Sequence, residues 1–422
     1  MNTYQFIKNV EIKGSYDVIV CGGGVAGCAA AYTSAKNGYK TLLLEKSTIL
    51  GGLATLGLIN LFVPMCNGRG RQIIFGLCEK WTRMSAELGF DTIPKSWKEG
   101  EPKEPTKERY IQRFSPNIFA LQLMSELSSV GVDILYDCVA TEPIMDGKTV
   151  TGVITTSKSG LLAYSCKVVI DTTGDADIVR QSGAPFTEGE NYFTYCAKCV
   201  TLAGCRKAAE TENIYNMYSG IAGGGINLYG HNQPDDIPKW AGTSVEDVND
   251  YLQRNQKLML SKLKAEDKNS RDIVMLPGMP QFRTTCHIVG EHTFRHTDAY
   301  RHFDDSIAAI NDFDRRDYLY EVPYGTLYNK DYPNILAAGR CACAEGYGWD
   351  VLRVIPPAII TGQAAGEAAC IAIADGVSVH EVDVKKLQRK LEAENVMIHF
   401  PDELIPQTAD SGESAEIDGG HI

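Results

Sequence analysis

Tyr16 to Glu45, YDVIVCGGGVAGCAAAYTSAKNGYKTLLLE, is the stretch that decides the fold. Tyr16–Cys21 is a short, almost wholly apolar run of the kind that a parallel sheet buries on both faces. Ala26–Asn37 is rich in alanine and stops at Gly38, which predicts a helix ended by a glycine. Tyr39–Leu44 is a second apolar strand, closed by Glu45. Strand, helix and strand make one βαβ unit of about thirty residues. Gly22, Gly24 and Gly27 stand between strand and helix in G-x-G-x-x-G spacing, and that context turns a weak pattern into a strong one. Gly22 permits a tight turn, and Gly24 lets the backbone approach a pyrophosphate. Gly27 lets the helix pack on the sheet while its amino-terminal amides face the anion. Glu45 follows Gly27 by eighteen residues, where a carboxylate accepts hydrogen bonds from both ribose hydroxyls of an adenosine half and disfavours a 2′-phosphate.

Outward from this unit, Ser115–Val130 predicts an amphipathic helix after a Ser-Pro start. Val132–Tyr136 and Val150–Thr156 read as strands with the Asp146-Gly147 turn between them, and Cys166–Asp171 as another buried strand. From about Pro185 to Leu327 strands mix with a polar helix near Val245–Lys264 and a glycine-rich turn at Gly223–Gly225. Asn334–Ala338 is a late apolar strand, and Pro356–Ala374 a small-residue helix with Pro356 and Pro357 at its start. Beyond His380 a helix is expected near Val384–Asn395, then a loose acidic tail from Gln407. The expected class is α/β: a doubly wound, Rossmann-like cofactor domain interrupted by a mixed, β-rich substrate domain. The cofactor domain takes 14–56, 115–184 and 333–380, the cap takes 57–114 and 185–332, and 381–422 form the C-terminal helix and tail.

Lys plus Arg, 41, are outweighed by Asp plus Glu, 53, and the net charge of −12 argues against a polyanionic partner such as nucleic acid. No apolar run approaches the roughly 18 residues of a membrane span. Met1–Lys13 carries Lys8 and Glu11 and lacks a continuous apolar core, so a cytoplasmic location is expected. Thirteen cysteines, an odd number over a long chain, fit reduced thiols better than a disulfide framework. Cys196-x-x-Cys199 with Cys205 invites a metal or dithiol reading, but no second pair completes a four-ligand site and the segment reads as a strand, so no metal is expected there. Cys341 and Cys343 read as packing residues rather than a redox pair.

FAD and NAD share the ADP half that the motif reads, so the choice between them rests on three later segments. Gly51-Gly52-Leu53-Ala54-Thr55 is a second glycine pair whose backbone could line the pyrophosphate and flavin. Asp171–Asp177, DTTGDAD, places a small Thr-Gly turn at a strand end. Ala338-Gly339-Arg340 ends the late strand ahead of a helix whose amides could face the flavin's pyrimidine edge. Only one G-x-G-x-x-G is present, so electrons are expected to enter from the substrate itself or from an electron-transfer partner.

Together these segments resemble the FAD-dependent oxidoreductases, whose chains begin with this βαβ unit and close with a strand, AGR and a helix. The likeness spans about Tyr16 to Gly376. It rests on CGGGVAGCAA with Glu45, on GGLAT, on VVIDTTGDADIV followed by GAPF, and on the run from VPYGTL through NILAAGRC to LRVIPPAIITGQAAGEAA. The family is similar in fold to fumarate-reductase-type flavoproteins. The resemblance implies FAD contacts from Gly22, Gly24, Val25, Ala26, Gly27, Glu45, Lys46, Gly52, Leu53, Ala54 and Thr55. It implies others from Val139 near the adenine and from Gly174, Asp175, Gly339 and Arg340, and it places Arg353 beside the flavin. Cys286 and His287 stand where the family's pattern has arginines, and Gly346 where it has a histidine. These departures fall on the substrate side, so the resemblance implies a flavin reaction without its substrate.

A flavin supplies the redox chemistry, leaving the protein to orient a donor carbon near N5 and manage one proton. His287, His292 and Tyr324 are candidates for the proton, and Arg283 with Arg353 for a carboxylate clamp. The bland alternatives are satisfied structural histidines, a core tyrosine and an interdomain salt bridge. The expected function is oxidation or reduction of a small organic molecule by hydride transfer at N5. The alternatives are an FAD-carrying electron-transfer subunit and a fumarate-reductase-like reductase of an unsaturated carboxylate.

Overall fold

Five short strands form the central sheet of the computed structural model, which describes residues 4–225 and 230–406; the tail from Gln407 lies outside the described residues. They are β1 (Val18–Cys21), β2 (Thr41–Leu44), β3 (Asp133–Leu135), β4 (Val168–Asp171) and β5 (Ile335–Ala337). All pair in parallel, in the order β5-β4-β1-β2-β3. VIVC, TLLL, VVID and ILA are buried at every position because helices Val25–Lys36 and Ile355–Asp375 cover one face of the sheet, while Val150, Val153 and Tyr164 of a second sheet, with Ile178 and Val179, cover the other. The register sets Cys21 beside Leu44 and Asp171, and Asp171 beside Ala337, so these strands end level. Strand order reverses at β1, with β2 on one side and β4 on the other, which opens a crevice at the carboxyl edge of the sheet.

Seven of the helices are α1 (Val25–Lys36), α2 (Gly76–Glu87), α3 (Pro116–Ser129), α4 (Val245–Lys264), α5 (Gly346–Arg353), α6 (Ile355–Asp375) and α7 (Val384–Ala393). Helices α1 and α6 meet through small residues. A Cβ added at Gly366 would stand 2.6 Å from the Ala30 carbonyl oxygen, and one at Gly362 would collide with the Ala26 backbone. Near the end of this seam the buried Glu367 accepts from Asn37 Nδ2 at 2.8 Å and from Lys390 Nζ at 2.6 Å, which ties α1, α6 and α7 together and pairs the buried charge. Helix α6 corrects the expectation that no apolar run nears membrane length. It holds an 18-residue window apolar enough by composition, yet 89% of that window is buried inside the protein.

A four-stranded sheet, Glu11–Ser15, Gly160–Ser165, Thr149–Ser157 and Val139–Asp146, flanks the nucleotide end. A three-stranded antiparallel sheet, Tyr218–Ala222, Cys196–Thr201 and Arg271–Met275, packs with α4 around Phe193, Tyr195, Trp240, Tyr251 and Phe282. Residues 57–114 and the hairpin Ser306–Asn311/Leu319–Pro323 do not join that cluster. Phe62, Trp81, Tyr110, Phe114, Ile307 and Tyr320 share one core with α1 and α6, because α2 lies against α3 and α6. All thirteen cysteines are free thiols. Cys196 and Cys199 lie three residues apart on one strand and therefore project to opposite faces, which denies them a shared ion.

Candidate functional site

A cleft of about 460 Å³ opens at the carboxyl ends of β1, β2 and β4, within the roughly 300–1,000 Å³ of small-molecule sites. Its floor is the glycine turn. Gly22 has φ +104°, and a Cβ there would meet the Thr172 carbonyl oxygen at 2.5 Å. The Thr172 hydroxyl donates to the carbonyls of Cys21 and Gly22 at 2.9 and 2.8 Å, joining β1 to β4 beneath the turn. Gly24 is the N-cap of α1, with no side-chain cap and no acid in the first turn, so no side chain caps the first amides of the helix. A Cβ at Gly24 would meet nothing within 4 Å. Gly27 behaves differently: it does not line the cleft, and a Cβ there would collide with the Gly22 carbonyl oxygen.

The second glycine pair docks on the first. Gly51 N donates to Gly23 O at 2.8 Å, and a Cβ on Gly52 would come within 3.1 Å of Gly24 Cα. Gly52, Leu53 and Ala54 line the cleft, whereas Thr55 turns its hydroxyl inward to the Leu50 carbonyl at 2.6 Å and holds the loop from below. Glu45 lines the cleft as well. Its Oε2 accepts from Gly23 N and its Oε1 from Ser47 N, both at 2.7 Å, which fixes the carboxylate while each oxygen keeps a further lone pair. An ADP half fits this arrangement: helix amides for the diphosphate, an open Cβ position at Gly24 and an anchored carboxylate for the ribose. Lys46, Ser47, Cys138, Val139 and Ala140 form the adjoining wall.

Thr172, Thr173 and Gly174 bring the β4 end into the cleft, as the small Thr-Gly turn predicts. Asp175 does not line it. Its Oδ1 accepts from Arg340 Nη2 at 2.7 Å, and Arg340 also donates from Nε to Gly174 O at 2.5 Å and from Nη1 to Phe282 O. Arg340 is thus a rivet between the β4 loop and the segment before Arg283, and Gly339 leads it into the wall. At the flavin end stand Leu56, Gly278, Met279, Pro280, Arg283, Arg353 and Ile355. Burial, and then the neighbouring Arg353 charge, push the Arg283 guanidinium down to about 10, which leaves it cationic at neutral pH. Arg353 is held by Asp350 Oδ1, at 3.0 Å from Nε and 2.5 Å from Nη2. The start of α6 differs from expectation. Pro356 and Pro357 have no N–H and the Ala358 amide already donates to Val354 O at 3.0 Å, so Ile355 alone is left to offer a donor in this first turn.

The three proton-handling candidates are not brought to this cleft. Tyr324 is buried and donates to Val379 O at 2.6 Å, and burial drives its phenol far up. His287 is buried with Nδ1 2.7 Å from Ile288 O and its ring edge-on to Trp349, and burial lowers its imidazole below the usual value. His292 packs on Phe303 with Nε2 3.7 Å from Asp298 Oδ2. Cys286 and Gly346 also stay outside the lining. Cys341 and Cys343 are buried, and burial raises both thiols. Two features escaped sequence reasoning. Gly278-Met279-Pro280, a turn signal in plain sight, faces the flavin end. Asp177 also lines the cleft, its carboxyl raised by burial and then by Asp175.

Several known proteins are similar to this chain. The chain is 24% identical to digeranylgeranylglycerophospholipid reductase of Methanoculleus marisnigri over 176 residues, 41% of this chain and 42% of the relative. It is 30% identical to the protein of the same name from Methanospirillum hungatei over 148 residues, 34% of each. The matches therefore span less than half the length of these relatives. Among solved structures, a geranylgeranyl bacteriochlorophyll reductase-like protein from Thermoplasma acidophilum aligns over 92% of this chain and 85% of its own, at 15% identity and a TM-score of 0.45. The p-nitrophenol 4-monooxygenase of Pseudomonas putida aligns over 93% and 92%, at 13% identity and a TM-score of 0.45. The family profile for FAD dependent oxidoreductases matches residues 17–269 and 203–391, a span that holds the glycine turn, Glu45, both cleft arginines and α6. The chain belongs to the FAD-dependent oxidoreductase family, and FAD is its cofactor.

Proposed function

We propose that this enzyme oxidises or reduces a small organic molecule bearing a carboxylate, by hydride transfer at flavin N5. The observation that carries the reading is the presence of two guanidinium groups, Arg283 and Arg353, in the same cleft as the nucleotide-binding glycines. Bound FAD supplies the two-electron chemistry. The chain's residues do the rest. The α1 amides hold the diphosphate, and Glu45 orients the ribose. Arg283 and Arg353 are placed to take a carboxylate in bidentate fashion, at a site where burial strengthens the attraction. Leu56, Met279 and Pro280 provide an apolar wall that sheds water from the rest of the substrate. No histidine or tyrosine lines the cleft among the described residues, so no proton step is assigned to one.

The test is anaerobic mixing of the FAD-loaded enzyme with amino, hydroxy and unsaturated acids, each beside its methyl ester, reading flavin bleaching or reoxidation. At least one acid is expected to exchange electrons faster than its ester, and Arg353→Met to slow that exchange by about 100-fold with flavin content unchanged. Equal rates for acid and ester would overturn the reading. Reaction with a protein electron donor and with no small acid would favour the FAD-carrying subunit instead.

A further inference from the structure

Away from the cleft, His302, Glu321 and His399 converge from three separate stretches of chain. Glu321 lies on the strand Leu319–Pro323 and is fully buried, opposite Ala309. His302 precedes the hairpin, and His399 belongs to the segment after α7, which is laced to the hairpin by Ala309 N to Met397 O at 2.6 Å and Ser306 Oγ to Ile398 O at 2.7 Å. Both imidazoles address one oxygen: His302 Nδ1 lies 2.5 Å and His399 Nδ1 3.0 Å from Glu321 Oε1. One donor atom from each of the three side chains lies within 4.8 Å of the other two.

We propose that His302, Glu321 and His399 bind one divalent transition-metal ion of the zinc class, with water completing the shell. Two imidazole nitrogens and one carboxylate oxygen are the donor set of a three-ligand zinc site. The set lacks the six or more oxygens that calcium or magnesium takes, and the thiolates that copper(I) prefers. The supporting contacts also match. The second ring nitrogen of His302 is 2.8 Å from Asp402 Oδ1, the carboxylate–histidine arrangement that fixes the tautomer of a ligating imidazole. Glu321 Oε2 accepts from Phe303 N at 2.7 Å, which aims Oε1 at the histidines. Bonds of about 2.0–2.1 Å in a tetrahedron set neighbouring donors roughly 3.3 Å apart, so the two oxygen–nitrogen spacings need to open by less than about 1 Å and the two imidazoles, whose donor atoms lie within 4.8 Å, to close by about 1.5 Å at most. The rings can make that movement, since the side chains of His302 and His399 are 39% and 42% exposed. Their exposure also leaves the water position open. Glu321 and Asp402 bring two negative charges that a dication offsets. None of these residues lines the flavin cleft, so the ion would staple the segment after α7 to the hairpin rather than take part in the redox step.

The test uses tag-free, FAD-loaded protein, stripped with a chelator and then titrated with Zn²⁺ against a chelating dye and with Co²⁺ by its d–d absorption. The expected result is one ion per chain, a four-coordinate cobalt spectrum, and a Tm raised by zinc. His302→Gln and His399→Gln are each expected to weaken uptake by about 100-fold or more, and Asp402→Asn by roughly 10–100-fold. Flavin content should be unchanged in all three, which reports that they fold. These exposed positions are used because Glu321→Gln could fail to fold. No stoichiometric uptake by the unsubstituted protein, or uptake that survives both histidine substitutions, would overturn the proposal.

Discussion

Gly24 and Gly27 stand three residues apart and answer to different demands. A side chain at Gly24 would enter open space in the cleft, so Gly24→Val should melt like the unsubstituted protein yet bind FAD about 100-fold more weakly, a loss of about 2.7 kcal/mol. A side chain at Gly27 would strike the Gly22 carbonyl, so Gly27→Val should lose about 1–3 kcal/mol of stability or more, read by chemical denaturation. Asp171 gives a pH signature. Burial raises its carboxyl from 3.8 to about 6 against the opposing hydrogen bonds from Thr173 and Val179. Between those values the native chain keeps a proton that the unfolded chain has released. Its contribution is therefore full below about pH 4 and fades by about 3 kcal/mol as pH rises through 6, opposite in sign to a salt-bridged carboxylate. Denaturant titrations of the unsubstituted protein and Asp171→Asn should show a stability gap that narrows from pH 4.5 to 7.5; parallel curves would contradict this. The glycine turn and Glu45 were legible because their places follow from local spacing, whereas the place of Arg353 came from the family resemblance. His287, His292 and Tyr324 were not legible, because their fates are set by Trp349, Phe303 and Val379, residues beyond the reach of a local sequence pattern.

The seam between α1 and α6 aims the amino end of α1 at the cleft. Gly362 and Gly366 let the helix backbones approach, and α6 in turn is pinned by Glu367 to Asn37 and Lys390. Gly366→Leu should force the helices apart, lower stability by about 1–3 kcal/mol and weaken FAD binding together, read as a Tm shift and a flavin titration on one preparation. A change in stability with FAD affinity intact would separate the seam from the site. Helices α4 and α6 were readable because a Ser or Pro start and a charged or glycine end bracket a long pattern. Helix α2 begins after Phe75 with no polar cap, and Val139–Asp146 is half exposed with a proline inside it, so neither carries a clean period or boundary signal. The His302, Glu321 and His399 cluster is invisible in sequence because its members come from three distant segments.

At the scale of the whole molecule the cleft is assembled from parts that the chain keeps far apart: the glycine turn, the β4 end, Gly278–Arg283, and Gly339 to Ala358. A cofactor touching all of them ties these segments together. FAD at about 100 times its Kd should add about 2.7 kcal/mol of stability. The alternating order of strands and helices made the parallel sheet predictable, whereas the membership of 57–114 in the main core depends on where Trp81 and Tyr110 find space. The central claim is that the ADP half of FAD rests on the first turn of α1 with its ribose on Glu45. Titration of apoprotein with FAD, repeated with FMN and with ADP as competitor, tests it most directly. The account predicts one tightly held FAD per chain, much weaker FMN, and displacement of FAD by ADP. FMN binding as tightly as FAD, or indifference to ADP, would contradict it.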